Sequence, residues 1–231
     1  MTEPPRRKHM EVLIEALDLA GARVVDIGCG DGGLVRAMTR NGARAIGIEP
    51  SQNQLARARE ADRVDNETYL CGVGEALPLA EACLDVAVFF NSLHHVPVEA
   101  QAPALAEAGR ALRSGGLLYV IEPIAEGRYF EVVRPIEDET HVRAKAYEAL
   151  RSAGGGPLFT EQREDRYLAP VRYTSFAAFR DHLIAVDERR RAAVEAGETR
   201  LRTAFEAAAE RRDDAYVFDQ PCRLNLLRRR S

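Results

Sequence analysis

Tryptophan is absent from this 231-residue chain, and aromatic residues make up only 6% of it. A large, flat aromatic pocket is therefore not expected. Lysine is almost missing as well: Lys8 and Lys145 stand alone, and arginine carries nearly all of the basic charge. With 36 acidic residues against 32 basic ones, the net charge is −4, which offers no general field for nucleic acid. The two basic runs, Arg189-Arg190-Arg191 and Arg228-Arg229-Arg230, read as a solvated helix face and a chain end. Cysteine is sparse. Cys29, Cys71, Cys83 and Cys222 have no metal-type spacing, so no metal site is expected and the thiols are read as reduced. No apolar run reaches the roughly 18 residues that a membrane span needs. The opening segment, with Pro4-Pro5-Arg6-Arg7-Lys8, lacks the apolar core of a signal peptide. The expectation is a cytoplasmic protein without membrane or nucleic-acid partners.

What the chain does have is the stretch Val24-Val25-Asp26-Ile27-Gly28-Cys29-Gly30-Asp31-Gly32-Gly33. It reads as a buried strand running into a glycine-rich turn that opens a helix. Twenty-one residues past Gly28, a second strand ends on Glu49. Strand, glycine turn, helix, strand and acid form an adenosine cradle: the glycines let the backbone approach the ligand, and the distal carboxylate accepts from a ribose diol. The spacing Gly28-x-Gly30-x-x-Gly33 formally satisfies the nicotinamide-dinucleotide fingerprint. That site, however, must hold an anionic pyrophosphate. Here Asp26 and Asp31 flank the turn and the first nearby cation is Arg36. Two carboxylates repel a phosphate and attract an ammonium and a sulfonium, so the charge of the turn points to S-adenosylmethionine, with S-adenosylhomocysteine as product.

The alternation continues along the chain: strand 22–27, helix 32–41, strand 43–49, helix 51–62, strands 67–71 and 84–90, helix 99–112 and strand 116–122. This pattern predicts an α/β fold, a doubly wound sheet covered by helices on both faces. Ligands of such sheets sit at the carboxyl ends of the strands, where Asp26, Glu49, Asn91 and Glu122 all fall. An N-terminal helix is expected within residues 1–20. After Pro123 the regularity breaks, with a helix predicted around 137–151, a strand near 166–173, helical sequence from 175 to about 212 and a closing strand over 215–227.

Five motifs in order over residues 20–123 resemble the class I S-adenosylmethionine-dependent methyltransferases. Val24 to Leu34 resembles their first motif, Asp-x-Gly-x-Gly, and Glu49 their ribose-binding acid. Gly72-Val73-Gly74-Glu75-Ala76-Leu77-Pro78 resembles the loop that lines the adenine. The segment from Leu84 through Asn91-Ser92-Leu93-His94-His95 resembles the fourth strand and its active-site edge, and Leu112 to Pro123 the turn into the fifth strand. The nearest likeness is the small-molecule branch that includes the type 11, quinone-biosynthesis methyltransferases. The resemblance implies a Rossmann-like sheet of seven strands in the order 3-2-1-4-5-7-6, the last antiparallel. It also implies a single methyltransferase domain over 1–231, with residues 124–165 and 188–212 as additions forming a substrate lid. The cofactor-binding residues it implies are Asp26, Gly28, Cys29, Gly30, Glu49, Pro50, Val73, Gly74, Glu75, Asn91 and Leu93. One departure stands out. The branch often has Asp where this chain has Val73, and valine cannot accept from the adenine amino group, so Glu75 or a backbone carbonyl is left to do so.

For the chemistry, His94 is the candidate base, because an imidazole titrates near neutral pH; Glu122 and His141 are the other candidates. Glu122 has an equally weighted second reading, as a bond to a neighbouring helix N-terminus, and His95 reads as a buried support. Adjacent histidines do not converge on a metal without a contorted backbone. The function expected is in-line transfer of a methyl group to a small-molecule substrate. A non-catalytic adenosyl-binding protein and a nicotinamide-dependent oxidoreductase are the rivals. Modification of a nucleobase amino group is disfavoured because Asn91-Ser92-Leu93-His94 replaces the Asp/Asn-Pro-Pro-Tyr/Phe tetrapeptide. The sequence leaves the acceptor and the oligomeric state open.

Overall fold

The structure is a computed structural model that describes residues 3–231. The first half alternates as expected: β1 (Arg23–Ile27), α2 (Gly33–Arg40), β2 (Arg44–Glu49), α3 (Gln52–Glu60), β3 (Thr68–Cys71), β4 (Leu84–Phe90), α4 (Val98–Ala111) and β5 (Leu112–Pro123), preceded by α1 (His9–Ala16). The second half contains α5 (Gly127–Val133), α6 (Thr140–Gly155), β6 (Phe159–Tyr173), α7 (Phe176–Val186), α8 (Arg191–Ala208), β7 (Glu210–Arg212) and β8 (Ala215–Arg229).

The sheet order is β3-β2-β1-β4-β5-β8-β6, with the short β7 paired antiparallel to β8. This is the predicted order once β7, a three-residue strand that the sequence does not announce, is set aside. Strands β1 to β5 pair in parallel. Beyond them β8 runs antiparallel to β5: the Ile124 amide, just past β5, donates to the Pro221 carbonyl, while Arg228 reaches the Gly115 carbonyl at the other end. β5 starts earlier than expected, because Leu112 pairs with Leu84 and Leu117 with Val86, leaving residues 113–116 as a bulge. A Cβ on Gly116 would stand 2.9 Å from the Arg113 carbonyl oxygen, so this bulge depends on glycine.

The chain divides into two compact units. The larger comprises residues 12–122, 142–165 and 223–231. Its core joins Val25 and Ile27 of β1, Ile48 of β2 and Phe89 of β4 to Ala104, Leu105 and Ala108 on one face of α4. The near-continuous apolar runs of β1 and β4 are what a strand buried on both faces requires. The smaller unit comprises residues up to Glu11, 123–141 and 166–222. Most of the chain's few aromatics gather there, with Phe205 stacked 4.7 Å from Phe179 and flanked by Phe176, Tyr216 and Phe218. In this unit the helical sequence expected from 175 to about 212 is divided at Asp187, whose side chain caps a 3-10 turn before α8. Arg190 is also not on a solvated face: it is buried between Glu137 and Glu139, because a guanidinium leaves water only when carboxylates replace it.

Truncating Phe205 removes a fully buried ring that five other aromatics contact, Tyr173 among them. Phe205→Ala is expected to destabilise the protein by about 3–5 kcal/mol, measured by denaturant unfolding followed by circular dichroism, since no tryptophan is available to report.

Candidate functional site

Asp26 is the fourth residue of β1 and pairs in register with Gly47 of β2, which ends two residues later on Glu49. Both acids are buried. The chain then turns sharply through Gly28, Gly30 and Gly32, all at positive φ. At Gly28 the left-handed conformation coincides with close packing, since a Cβ there would lie 2.6 Å from Cβ of Ser92. At Gly32 it would meet the Tyr69 ring at 2.5 Å.

The hydrogen bonds of this turn decide what it can bind. The amides of Gly28 and Cys29 donate to the Ile48 carbonyl, that of Gly30 to Glu49 Oε2 at 2.9 Å, and that of Gly32 to the Cys29 carbonyl. The Gly33 amide, at the start of α2, donates to Asp31 Oδ1 at 3.1 Å. These five amides are thus already engaged by carboxylates and carbonyls. Acceptors are left over beside them. Asp26 Oδ1 and Asn91 Oδ1 are buried and have no hydrogen-bond partner among the described residues. Burial, reinforced by the negative charge of Glu49, pushes the Asp26 carboxyl up to about 8. Burial and the same acids raise the Cys29 thiol. Such a place suits a ligand cation, which would restore Asp26 to its ionised form. The ammonium of S-adenosylmethionine fits it, and Glu49 retains lone pairs for a ribose diol.

The edge after β4 is built with equal economy. Asn91 adopts φ 53°, a region that asparagine tolerates better than most side chains, and its amide donates to the Ile121 carbonyl. Ser92 Oγ donates to the Ile27 carbonyl at 2.6 Å, tying this loop to the end of β1. Glu122, near the end of β5, accepts from the Ser92 and Leu93 amides at 3.2 and 2.9 Å, and its second oxygen bonds His94 Nδ1. One buried carboxylate therefore caps the 3-10 turn Leu93–His95 and fixes a buried imidazole. Of the two sequence readings of Glu122, the bond to a neighbouring turn N-terminus is the one this geometry matches, and the bond to His94 is an addition to it. His95 corrects two expectations: it is exposed rather than buried, and the adjacent histidines do come together, with ring centroids 4.1 Å apart, because the tight 3-10 turn sets neighbouring side chains side by side.

In the loop after β3, Gly74 is buried and its Cα faces Ile27, Phe89 and Ala104. Val73 is 39% exposed and Glu75 is exposed, as is Pro50 after β2. The loop is clamped from α4: Glu107 accepts from the Leu77 amide at 3.1 Å, and Arg110, paired with Glu107, donates to the Leu79 carbonyl at 2.9 Å. Asp26, the glycines, Cys29, Glu49, Gly74, Asn91, Leu93, His94 and Glu122 all lie in the larger unit. His141 falls in the other unit, exposed in the first turn of α6. There, Tyr129 bonds the Tyr173 hydroxyl and Arg134 pairs with Glu131. Sequence reading missed Ser92, Glu107 and Arg110, which have no motif of their own. The only cue was the position of Ser92 directly behind Asn91.

Residues 25–120 match a family model described as a methyltransferase domain, which supports for that stretch the resemblance to the class I S-adenosylmethionine-dependent methyltransferases. Among its relatives is the 27-O-demethylrifamycin SV methyltransferase of Amycolatopsis mediterranei, 36% identical over 43% of this chain and 38% of that one. Another is the ubiquinone biosynthesis O-methyltransferase of Methylococcus capsulatus, 33% identical over 48% of this chain and 47% of the relative. The chain spans about a third to a half of the length of the curated relatives it matches. The YcgJ protein of Bacillus subtilis superposes with a TM-score of 0.64 over 96% of this chain and 97% of its own, at 19% identity, which shows a shared fold. Among the described residues no helix is long and apolar enough to cross a membrane.

The state of Asp26 has a measurable sign. Its folded-state pKa lies above the ordinary value of 3.8, so between about 4 and 8 the native protein binds more protons than the unfolded chain, and stability falls as pH rises through that window. Denaturant unfolding of the ligand-free protein at pH 6 and pH 9 should show the wild type losing stability. Asp26→Asn, which carries no charge to bury, should lose less; equal losses would mean that Asp26 is not held protonated.

Proposed function

We propose that this protein transfers the methyl group of S-adenosylmethionine to a hydroxyl of a small molecule. The observation that carries the reading is the buried, unpartnered Oδ1 of Asp26 beside a turn whose amides are engaged. Asp26 and the side-chain Oδ1 of Asn91 hold the ammonium, and Glu49 accepts from the ribose. When bound, S-adenosylmethionine supplies a methyl group already activated on sulfur, so the protein's first task is to align a nucleophile with it. A hydroxyl must also lose its proton. His94 takes that proton: with Nδ1–H donated to Glu122, the neutral imidazole carries its basic lone pair on Nε2. Glu122 then stabilises the imidazolium. The name of the Methylococcus relative, an O-methyltransferase, supports an oxygen acceptor. Residues 124–165 and 188–212 we take to set which acceptor is chosen, with His141 as the candidate contact there.

Calorimetric titration with S-adenosylmethionine, S-adenosylhomocysteine and NAD tests the cofactor. Micromolar binding of both sulfur ligands, weakened about tenfold or more in Asp26→Ala, and no binding of NAD are expected. Tight NAD binding, or indifference to the substitution, would sink the assignment. For the base, the readout is product formation against a panel of phenols and alcohols. His94→Ala should lower kcat by roughly 10²–10⁴ while leaving the affinity for S-adenosylhomocysteine nearly unchanged. An unchanged kcat removes His94 from the chemistry.

A further inference from the structure

The loop Gly72–Pro78 lies where the adenine is expected, yet it offers little to read the adenine amino group. Val73 has no acceptor, and Glu75, the one acidic side chain of the loop, is exposed. A buried acceptor does exist on the neighbouring helix. Gln101, in the first turns of α4, is 1% exposed. Its Nε2 donates to the Val96 carbonyl at 3.2 Å, and this fixes which end of the amide is oxygen, since the reverse orientation would set oxygen against oxygen. Oε1 is buried with no hydrogen-bond partner among the described residues.

Helix geometry says where Gln101 stands. Gln101 shares the buried face of α4 with Ala104, Leu105 and Ala108, and residues three apart are neighbours on one face. Ala104 is the residue that Gly74 approaches: a Cβ built on Gly74 lies 3.4 Å from the Ala104 Cβ and 3.4 Å from Ile27. α4 connects the parallel strands β4 and β5, so its N-terminus stands at the carboxyl ends of the strands, where ligands bind. Moving from Ala104 to Gln101 is therefore one turn toward the ligand edge, alongside Gly74.

We propose that Gln101 Oε1 accepts the hydrogen bond of the adenine 6-amino group, taking over the part that Val73 cannot play. The proposal rests on S-adenosylmethionine being the ligand. It makes Gln101 a residue that selects adenine over other purines, by an oxygen held ready before the ligand arrives. The Val96 bond gives the side chain its orientation, and the same bond ties purine recognition to the loop that carries His94.

The test crosses one residue with one ligand atom. Kd values are measured by calorimetry for S-adenosylhomocysteine and for the analogue with hydrogen in place of the 6-amino group. Wild type should prefer the amino compound by about tenfold, the range of one net hydrogen bond. Gln101→Met, of similar length and without an acceptor, should bind both compounds equally, at the affinity wild type shows for the analogue. Gln101→Leu also lacks the acceptor and should lose the preference in the same way, which preserves the test should the Met variant fold poorly. Persistent discrimination in Gln101→Met or Gln101→Leu, or equal binding of the two compounds by wild type, would each overturn the role of Gln101. Failure of wild type to bind either compound would overturn the cofactor reading itself.

Discussion

Two carboxylates buried at the ends of adjacent parallel strands repel each other, and the ligand edge of the larger unit is organised around that repulsion. Asp26 and Glu49 are brought together by the β1–β2 register, which the apolar residues of those strands fix independently of any charge. The conflict is resolved unevenly. Glu49 receives the amides of Gly30 and Ser51 at 2.9 Å each. Asp26 has an oxygen with nothing to accept and is driven toward its neutral form. A buried group in that condition is a standing cost to the fold, and such costs cluster where a ligand removes them.

Glu122 supplies the control. It is as deeply buried as Asp26 and Glu49, yet three donors converge on it: the amides of Ser92 and Leu93 and His94 Nδ1. Three bonds replace the water that the carboxylate lost, and the strand end, the 3-10 turn and the imidazole become one rigid piece. The contrast separates two kinds of buried acid within one sheet edge. Glu122 is complete without a ligand and positions its neighbours; Asp26 is incomplete and awaits one.

Most of this sheet could be read in the sequence because parallel strands advertise themselves. Val24-Val25 and Val86-Ala87-Val88-Phe89-Phe90 are apolar on both faces, and the glycine turn and Glu49 are local signals. The second half is harder for a physical reason. β6 begins at Phe159, but Glu161-Gln162-Arg163-Glu164-Asp165 presents no alternation to detect, and an end position in the sheet path does not demand one. Arg190 looks solvated until Glu137 and Glu139, more than fifty residues away, are folded against it. The same holds for Ser92, which matters through the Ile27 carbonyl, a partner that only the fold supplies.

The glycine fingerprint is the case where pattern and chemistry diverge. Gly28-x-Gly30-x-x-Gly33 satisfies the spacing of a dinucleotide site, and the backbone does turn as that spacing requires. Spacing, however, fixes only how close a ligand can come. What comes is decided by whether the groups left over are donors or acceptors. At the start of α2 the Gly33 amide is already taken by Asp31 and the Gly30 amide by Glu49, so the positive end of the helix is neutralised by the protein's own acids. The oxygens of Asp26 and Asn91 are what is left without a partner, and oxygens of that kind favour an ammonium over a phosphate. In the function proposed above, the acids that flank the turn therefore carry the identity of the cofactor, and the glycines give it room.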